Sequence, residues 1–328
     1  MKSIRTLVAP LALAILPVTS AFGAPETQPA PDKMVDALNT AFGKQTTNRA
    51  VHSKGVVLEG TFTPAASAAS VSSAPHFRQA VPITVRFSDF AGIPTIPDTH
   101  DAASPRGFAV KFHLPDGSVT DIVTHSFNGF PTRTSEEFRQ LMIAIGTSGA
   151  GVAKPTPLDN FLAGHPIAKT FLTTQPPPPV SFATIGYFGV NSFKFTNAQG
   201  QARFGRYRIE AEAGNQFLSP EQVAKAAPGY LADEIRKRVA EGPVRFRFRV
   251  QLSGPGDIVD DPSIAWPESR EIVDLGEIEI TRAVTDSDAA ERQLIFMPAT
   301  LPAGIEPADP MILVRQGAYP ISYTRRHP

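Results

Sequence analysis

Residues 245–253 read Arg-Phe-Arg-Phe-Arg-Val-Gln-Leu-Ser. Phe246, Phe248, Val250 and Leu252 alternate with charged or polar neighbours, the period-2 pattern of a strand with one face buried and one face wet. Residues 271–281 alternate again, and residues 192–196 with 202–212 read as a hairpin around Asn197-Ala198-Gln199-Gly200. Upstream, short β-branched and aromatic runs at 56–62, 83–87, 108–112 and 122–123 are separated by Gly, Pro, Asp and Ser clusters and predict further strands. Helical spacing is present at 33–42, 136–145, 230–240 and 311–319, and Ser219-Pro220 opens another helix with a cap and a first-turn proline. The Ala/Ser run at 64–75 predicts a flexible surface loop, and residues 155–166 and 175–179 predict irregular wrapping segments. Strands without regular strand–helix alternation argue against a doubly wound sheet. The expected class is α+β, an antiparallel barrel or sandwich with helices packed outside.

Composition narrows the function. The chain has 328 residues, 42% of them hydrophobic, enough for a sizeable core. It has no cysteine, which excludes disulfides, thiolate metal sites, a catalytic thiol and a covalently attached c-type haem. With 31 Lys+Arg against 31 Asp+Glu there is no electrostatic case for a nucleic-acid partner. Residues 1–24 read as a signal peptide: Lys2 and Arg5, an apolar run over 7–18, then small residues Ala21, Gly23 and Ala24. That run is shorter than the roughly 20 residues a membrane span needs. The expectation is an exported, periplasmic protein, free of the membrane after cleavage, with residues 25–328 as a single domain.

Seven histidines are present, none at the spacing of a helical zinc site, and no phosphate-binding glycine loop or Gly-x-Ser-x-Gly elbow occurs. His52, just before a strand, reads by itself most simply as a structural histidine. Arg315 and Tyr319 stand four apart in the helical run 311–319 and share one face. A guanidinium beside a phenol favours the phenolate, which suits a hard ferric ion, although by spacing alone a packing contact is the commoner meaning.

The ordered series of motifs resembles the haem catalase family. Arg49-Ala50-Val51-His52-Ser53-Lys54-Gly55 resembles the segment that carries the family's distal histidine. Val85-Arg86-Phe87-Ser88 and Arg106-Gly107-Phe108-Ala109-Val110-Lys111-Phe112 resemble two of its strands. Residues 186–195, Ile264-Ala265-Trp266-Pro267 and the run from Phe296-Met297-Pro298 into Arg315-x-x-x-Tyr319 continue the match in order. The resemblance implies a catalase-like antiparallel β-barrel with surrounding helices and a non-covalent b-type haem between barrel and C-terminal helix. It implies Tyr319 as proximal iron ligand with Arg315 as charge partner, His52 as distal acid/base, Val51 over the ring, and Ser88 bonded to the imidazole. Arg49, Arg86 and Arg326 fall where the family holds the haem propionates. Tyrosine ligation of the haem iron is a general property of catalases, so the role of Tyr319 follows from the resemblance and not from its spacing.

Two departures qualify the resemblance. Where the family has an Asn-Asn pair after the Asp-x-Val strand, this chain has His125 and Ser126, with Asn128 two places later as the candidate third catalytic residue. The chain also resembles a catalase core without the further helical domain, which is expected to leave the haem open to bulkier peroxides. The expected activity is that of a catalase-related peroxidase acting on organic hydroperoxides, hydrogen peroxide or both, through a ferryl state and with an electron donor of unknown identity. The alternatives are a small true catalase, an allene-oxide-synthase-like enzyme and an exported haem carrier. A monomer or small homo-oligomer is expected, and no constellation supports a bound nicotinamide nucleotide.

Overall fold

The computed structural model describes residues 28–327, so the expected leader at 1–24 lies outside the described residues. In chain order come α1 (Pro31–Phe42), β1 (Gly55–Pro64), α2 (Ala68–Val71), β2 (Val81–Ser88), β3 (Gly107–His113), β4 (Val119–His125), α3 (Ser135–Gly146), α4 (Pro157–Gly164) and α5 (Pro166–Thr173). Then follow β5 (Tyr187–Phe188), β6 (Phe193–Thr196), β7 (Ala202–Ala211), α6 (Pro220–Lys225), α7 (Tyr230–Glu241), β8 (Val244–Leu252), β9 (Ile272–Ala283), α8 (Ser287–Gln293), β10 (Ile305–Pro307) and α9 (Met311–Arg325).

Eight strands form a closed antiparallel barrel in the order β7-β5-β4-β3-β2-β1-β9-β8, with β8 returning to pair with β7. Closure satisfies the strand edges that an open sheet would expose. β6 and β10 extend the sheet outside this ring, from β7. The alternation in β8 sets its orientation. Phe246, Phe248, Val250 and Leu252 are buried, while Arg245 and Arg249 turn outward to Glu279 and Glu210. Phe62 meets Phe112 and Phe248 edge to face, with centroids 5.3 and 5.6 Å apart, and Phe87, Phe108, Tyr187 and Phe246 form a second aromatic group. Such pairs add to the large apolar area that each ring buries.

A smaller core lies outside the barrel. Met34, Val35 and Leu38 of α1 pack with Leu141 and Met142 of α3 and Ala318 of α9. α1 lies tight on α9: a Cβ at Gly317 would come 2.6 Å from Pro31. The site lies between this helical layer and the barrel. Among the described residues no helix is long and apolar enough to cross a membrane.

Two expectations need correction. Residues 64–75 are not a loose surface loop, because Ala68, Ser72 and Ala74 are fully buried and Ser72 donates to the Gly304 carbonyl at 2.8 Å. Small side chains let this segment lie close against its neighbours, and the same smallness leaves no periodic signal to read. Residues 155–166 are not irregular either. Thr156 and Asp159 form a reciprocal capping box that starts α4.

Candidate functional site

The cavity between barrel and helices is lined by α1, the segment before β1, the ends of β2, β3 and β4, and α9, and holds about 1430 Å³ free of atoms, its open mouth included. Its walls are mostly apolar, with Val51, Phe90, Val123, Phe138 and Val314 among them.

His52 takes a left-handed backbone conformation, φ 55°, rare for a residue with a side chain. Its N–H donates to the Phe90 carbonyl at 2.7 Å, and its own carbonyl accepts from Arg86 at 2.8 Å. Two bonds thus hold a conformation that costs about 1–2 kcal/mol, and strain of this kind gathers at working sites. The ring's Nδ1 lies 3.0 Å from the Ser88 hydroxyl, and Phe90 packs edge-on at 5.4 Å. With Nδ1 engaged, Nε2 is the ring nitrogen left for a ligand. Burial, and then the positive charge of Arg86, pushes the imidazole down to about 3, so it is neutral at physiological pH.

The barrel supplies the floor beneath His52. Ser88 pairs with Gly107 across β2 and β3, and Gly107 pairs with His125 across β3 and β4. Directly opposed residues share a face. Ser88, Gly107 and His125 therefore form one row facing the cavity, and all three line it. Gly107 is required by space, since a Cβ there would come 2.5 Å from Ser88 Oγ and 3.0 Å from His52 Nδ1. Gly107→Ala is expected to displace the imidazole and to slow any proton transfer at its Nε2 about 10²-fold, the scale of an ångström's misplacement. A crystal structure of the variant checks the displacement.

α9 supplies the other wall. Tyr319 Oη accepts from Arg315 Nε and Nη2 at 3.1 and 2.8 Å, one helical turn apart. Arg315 also donates to Asn191 Oδ1, whose amide donates in turn to Asp309 at 2.6 Å. Asp309 accepts from the Met311 N–H at 2.8 Å, at the start of α9. The guanidinium that faces the phenol is thus positioned through Asn191 from the beginning of its own helix.

Arg49, Arg86 and Arg326 converge at the rim. Arg49 and Arg86 both bind Glu291 Oε2, at 2.9 and 2.8 Å, and Arg49 and Arg326 both donate to the Leu294 carbonyl, at 2.6 and 2.9 Å. Arg326 is no solvated tail: it is 6% exposed, and burial followed by the charge of Arg86 pushes it down to about 10. Burial and Arg86 likewise hold Arg49 well below the usual guanidinium range. Two of the three guanidiniums bind one carboxylate and the third has none, and Arg86 Nε, Arg326 Nε and Glu291 Oε1 are buried without partners among the described residues. The cluster is two negative charges short of balance.

The structure brings together His52, Ser88, Val51, Arg49, Arg86, Arg315, Tyr319 and Arg326 around one cavity. It does not bring Asn128 there. Asn128 sits beyond the end of β4 and donates to Glu268 Oε1 at 3.2 Å on the exposed side. In its place His125, the last residue of β4, lines the cavity. Sequence reasoning did not single out Asn191, which lies unassigned within the stretch 186–195, or Glu291, which lies outside every quoted motif; they act on residues 124 and 242 positions away.

A family model described as Catalase matches residues 32–327. The chain is 38% identical over 287 residues to a catalase-related peroxidase of Mycolicibacterium paratuberculosis, covering 86% of this chain and 90% of that protein. It is 32% identical over 302 residues to a catalase-related peroxidase of Synechococcus elongatus, covering 90% and 88%. Against the catalase of Rattus norvegicus it is 27% identical over 301 residues and spans about half of that longer chain, 56%. Among solved structures a fungal catalase superposes with a TM-score of 0.77 at 21% identity, covering 86% of this chain and 60% of that one. A profile matching nearly the whole described chain, relatives above 30% identity over most of both lengths, and a barrel with the catalase topology agree: this chain belongs to the catalase family.

Proposed function

We propose that the chain is a haem-dependent peroxidase of the catalase family that reduces organic hydroperoxides, and hydrogen peroxide as the smallest of them. The observation that carries this reading is one cavity holding a neutral imidazole on Ser88 together with a phenol on Arg315. The residues fit a non-covalent haem. An apolar cleft suits a flat macrocycle, and three guanidiniums short of two negative charges suit two propionates. Tyr319 would ligate the iron, and Arg49, Arg86 and Arg326 would hold the carboxylates. When bound, the haem supplies the iron at which the peroxide bond is broken and through which a donor's electrons pass.

The protein's own part is proton handling and placement. His52 Nε2 takes the proton from the hydroperoxide O–H and returns it to the oxygen that leaves as alcohol, while Ser88 fixes the ring through Nδ1. Arg315 donates twice to the Tyr319 oxygen and so fixes its position on the cavity wall. The apolar walls exclude water and admit an alkyl group. Overall, ROOH with two protons and two electrons from a donor gives ROH and water. Support for peroxide chemistry comes from the names of two relatives above 30% identity. The N-terminal pattern supports export to the periplasm with removal of residues 1–24.

The test is to mix the haem-loaded protein with one equivalent of cumene hydroperoxide. A prompt change in visible absorption with stoichiometric cumyl alcohol is expected, and bound haem that stays unchanged would overturn the reading. Because burial holds His52 near 3, the base form persists as pH falls. The rate constant for this step is therefore expected to be flat from about pH 5 to 8, with no acid limb at the ordinary imidazole value of about 6.5. A stopped-flow pH series checks it.

A further inference from the structure

One imidazole on the cavity wall takes no part in the proton transfers assigned to His52. His125 ends β4 in register with Gly107, over which His52 and Ser88 meet, so it belongs to the same row of the barrel as the distal pair. Its Nδ1 accepts from the Phe127 backbone N–H at 3.3 Å. A backbone N–H can only donate, so the ring's proton resides on Nε2. That Nε2 is buried and has no acceptor among the described residues. The ring stands near Phe130 and Phe171, with centroids 6.4 and 6.3 Å away, and among the described residues the charged group bearing on it is the Arg315 guanidinium. Burial, then Arg315, pushes it down to about 3, so it is a neutral donor.

An orphaned buried N–H is destabilising, and a phenyl ring would fill this aromatic surrounding without that cost. The cost is explained if the acceptor arrives with the ligand. His52 offers an acceptor nitrogen and His125 a donor N–H on one cavity, and a hydroperoxide carries one acidic O–H beside oxygens with free lone pairs.

We propose that His125 Nε2–H is a second catalytic group of this cavity, donating a hydrogen bond to the hydroperoxide oxygen that leaves as alcohol while His52 carries the proton. Its own proton stays on the ring throughout, so the balance of the reaction is unchanged. The inference rests on the peroxidase reading and adds to it that an imidazole, not the side chain of Asn128, supplies this donor.

The test uses full-length haem-loaded protein and two variants. His125→Phe keeps a flat ring without a donor, and His125→Gln restores an N–H of similar reach. The first readout is kcat/KM for cumene hydroperoxide. His125→Phe is expected to lose about 10²-fold, mostly in kcat, the scale of removing one preorganised donor, and His125→Gln to recover most of it. The second readout is independent of turnover: the affinity for fluoride, a small hydrogen-bond acceptor, by optical titration. It is expected to fall about 10-fold in the phenylalanine variant and to return in the glutamine one. Equal values for wild type and His125→Phe in both readouts would overturn the proposal. If the phenylalanine variant fails to fold, a glutamine variant with activity and fluoride affinity no better than a His125→Leu variant overturns it as well. A wild-type protein that binds haem but consumes no hydroperoxide would sink the peroxidase reading instead, and the fluoride comparison would still decide the donor.

Discussion

His52→Ala is expected to bind haem with unchanged affinity and to react with cumene hydroperoxide about 10³-fold more slowly. Haem retention follows because the side chain's hydrogen bond is to Ser88, whereas the groups assigned to hold the cofactor, Tyr319 and the three arginines, keep their own partners. The slower reaction follows because a peroxide must lose a proton from one oxygen and gain one on the other, and positioned acid–base groups contribute about 10²–10⁴-fold. Alanine also relaxes little of the left-handed backbone at this position, since its Cβ meets the same steric limits. The fold is therefore expected to hold, with a melting temperature close to wild type. Reaction at the wild-type rate would remove His52 from the chemistry. A wild-type protein as unreactive as the variant would mean that the cavity stores haem and does not turn over peroxide.

The parts of this site that were legible in the sequence are those written in local periods. Phe246, Phe248 and Val250 show which face of β8 is buried, and the i, i+4 spacing of Arg315 and Tyr319 places the pair on one face of α9. Asn128 shows where such reading stops. Period 2 carries Val123 and His125 to the cavity face of β4, but beyond the strand's end the alternation lapses, and the loop turns Asn128 toward Glu268. Asn191 and Glu291 were illegible for another reason. Each acts on an arginine brought near only by closure of the fold, and nothing next to them in the chain marks that meeting. The buried Ala/Ser segment at 68–74 was illegible because side chains so small leave no pattern to distinguish core from loop.

Glu291→Gln is expected to destabilise the haem-free protein far more than the haem-loaded one. Glu291 bridges Arg49 and Arg86 with one oxygen, at 2.9 and 2.8 Å, and its side chain is 12% exposed. Glutamine keeps the shape and removes the charge, leaving three guanidiniums facing one another in a largely buried cluster. Removing one partner of a buried ion pair costs about 3–5 kcal/mol. In a chain of this size that corresponds to a fall in melting temperature of roughly 5–8 °C. With haem bound, two propionates would return two negative charges to the same guanidiniums, and the loss is expected to be less than half as large. Linkage then requires the variant to bind haem more tightly by the difference, at least about 1.5–2.5 kcal/mol, which is roughly 10–60-fold or more. Melting curves with and without haem and a direct haem titration must agree around this cycle. An equal loss in both forms, with unchanged haem affinity, would mean that Glu291 only staples α8 to the barrel and that the arginine cluster is not where the cofactor's carboxylates sit.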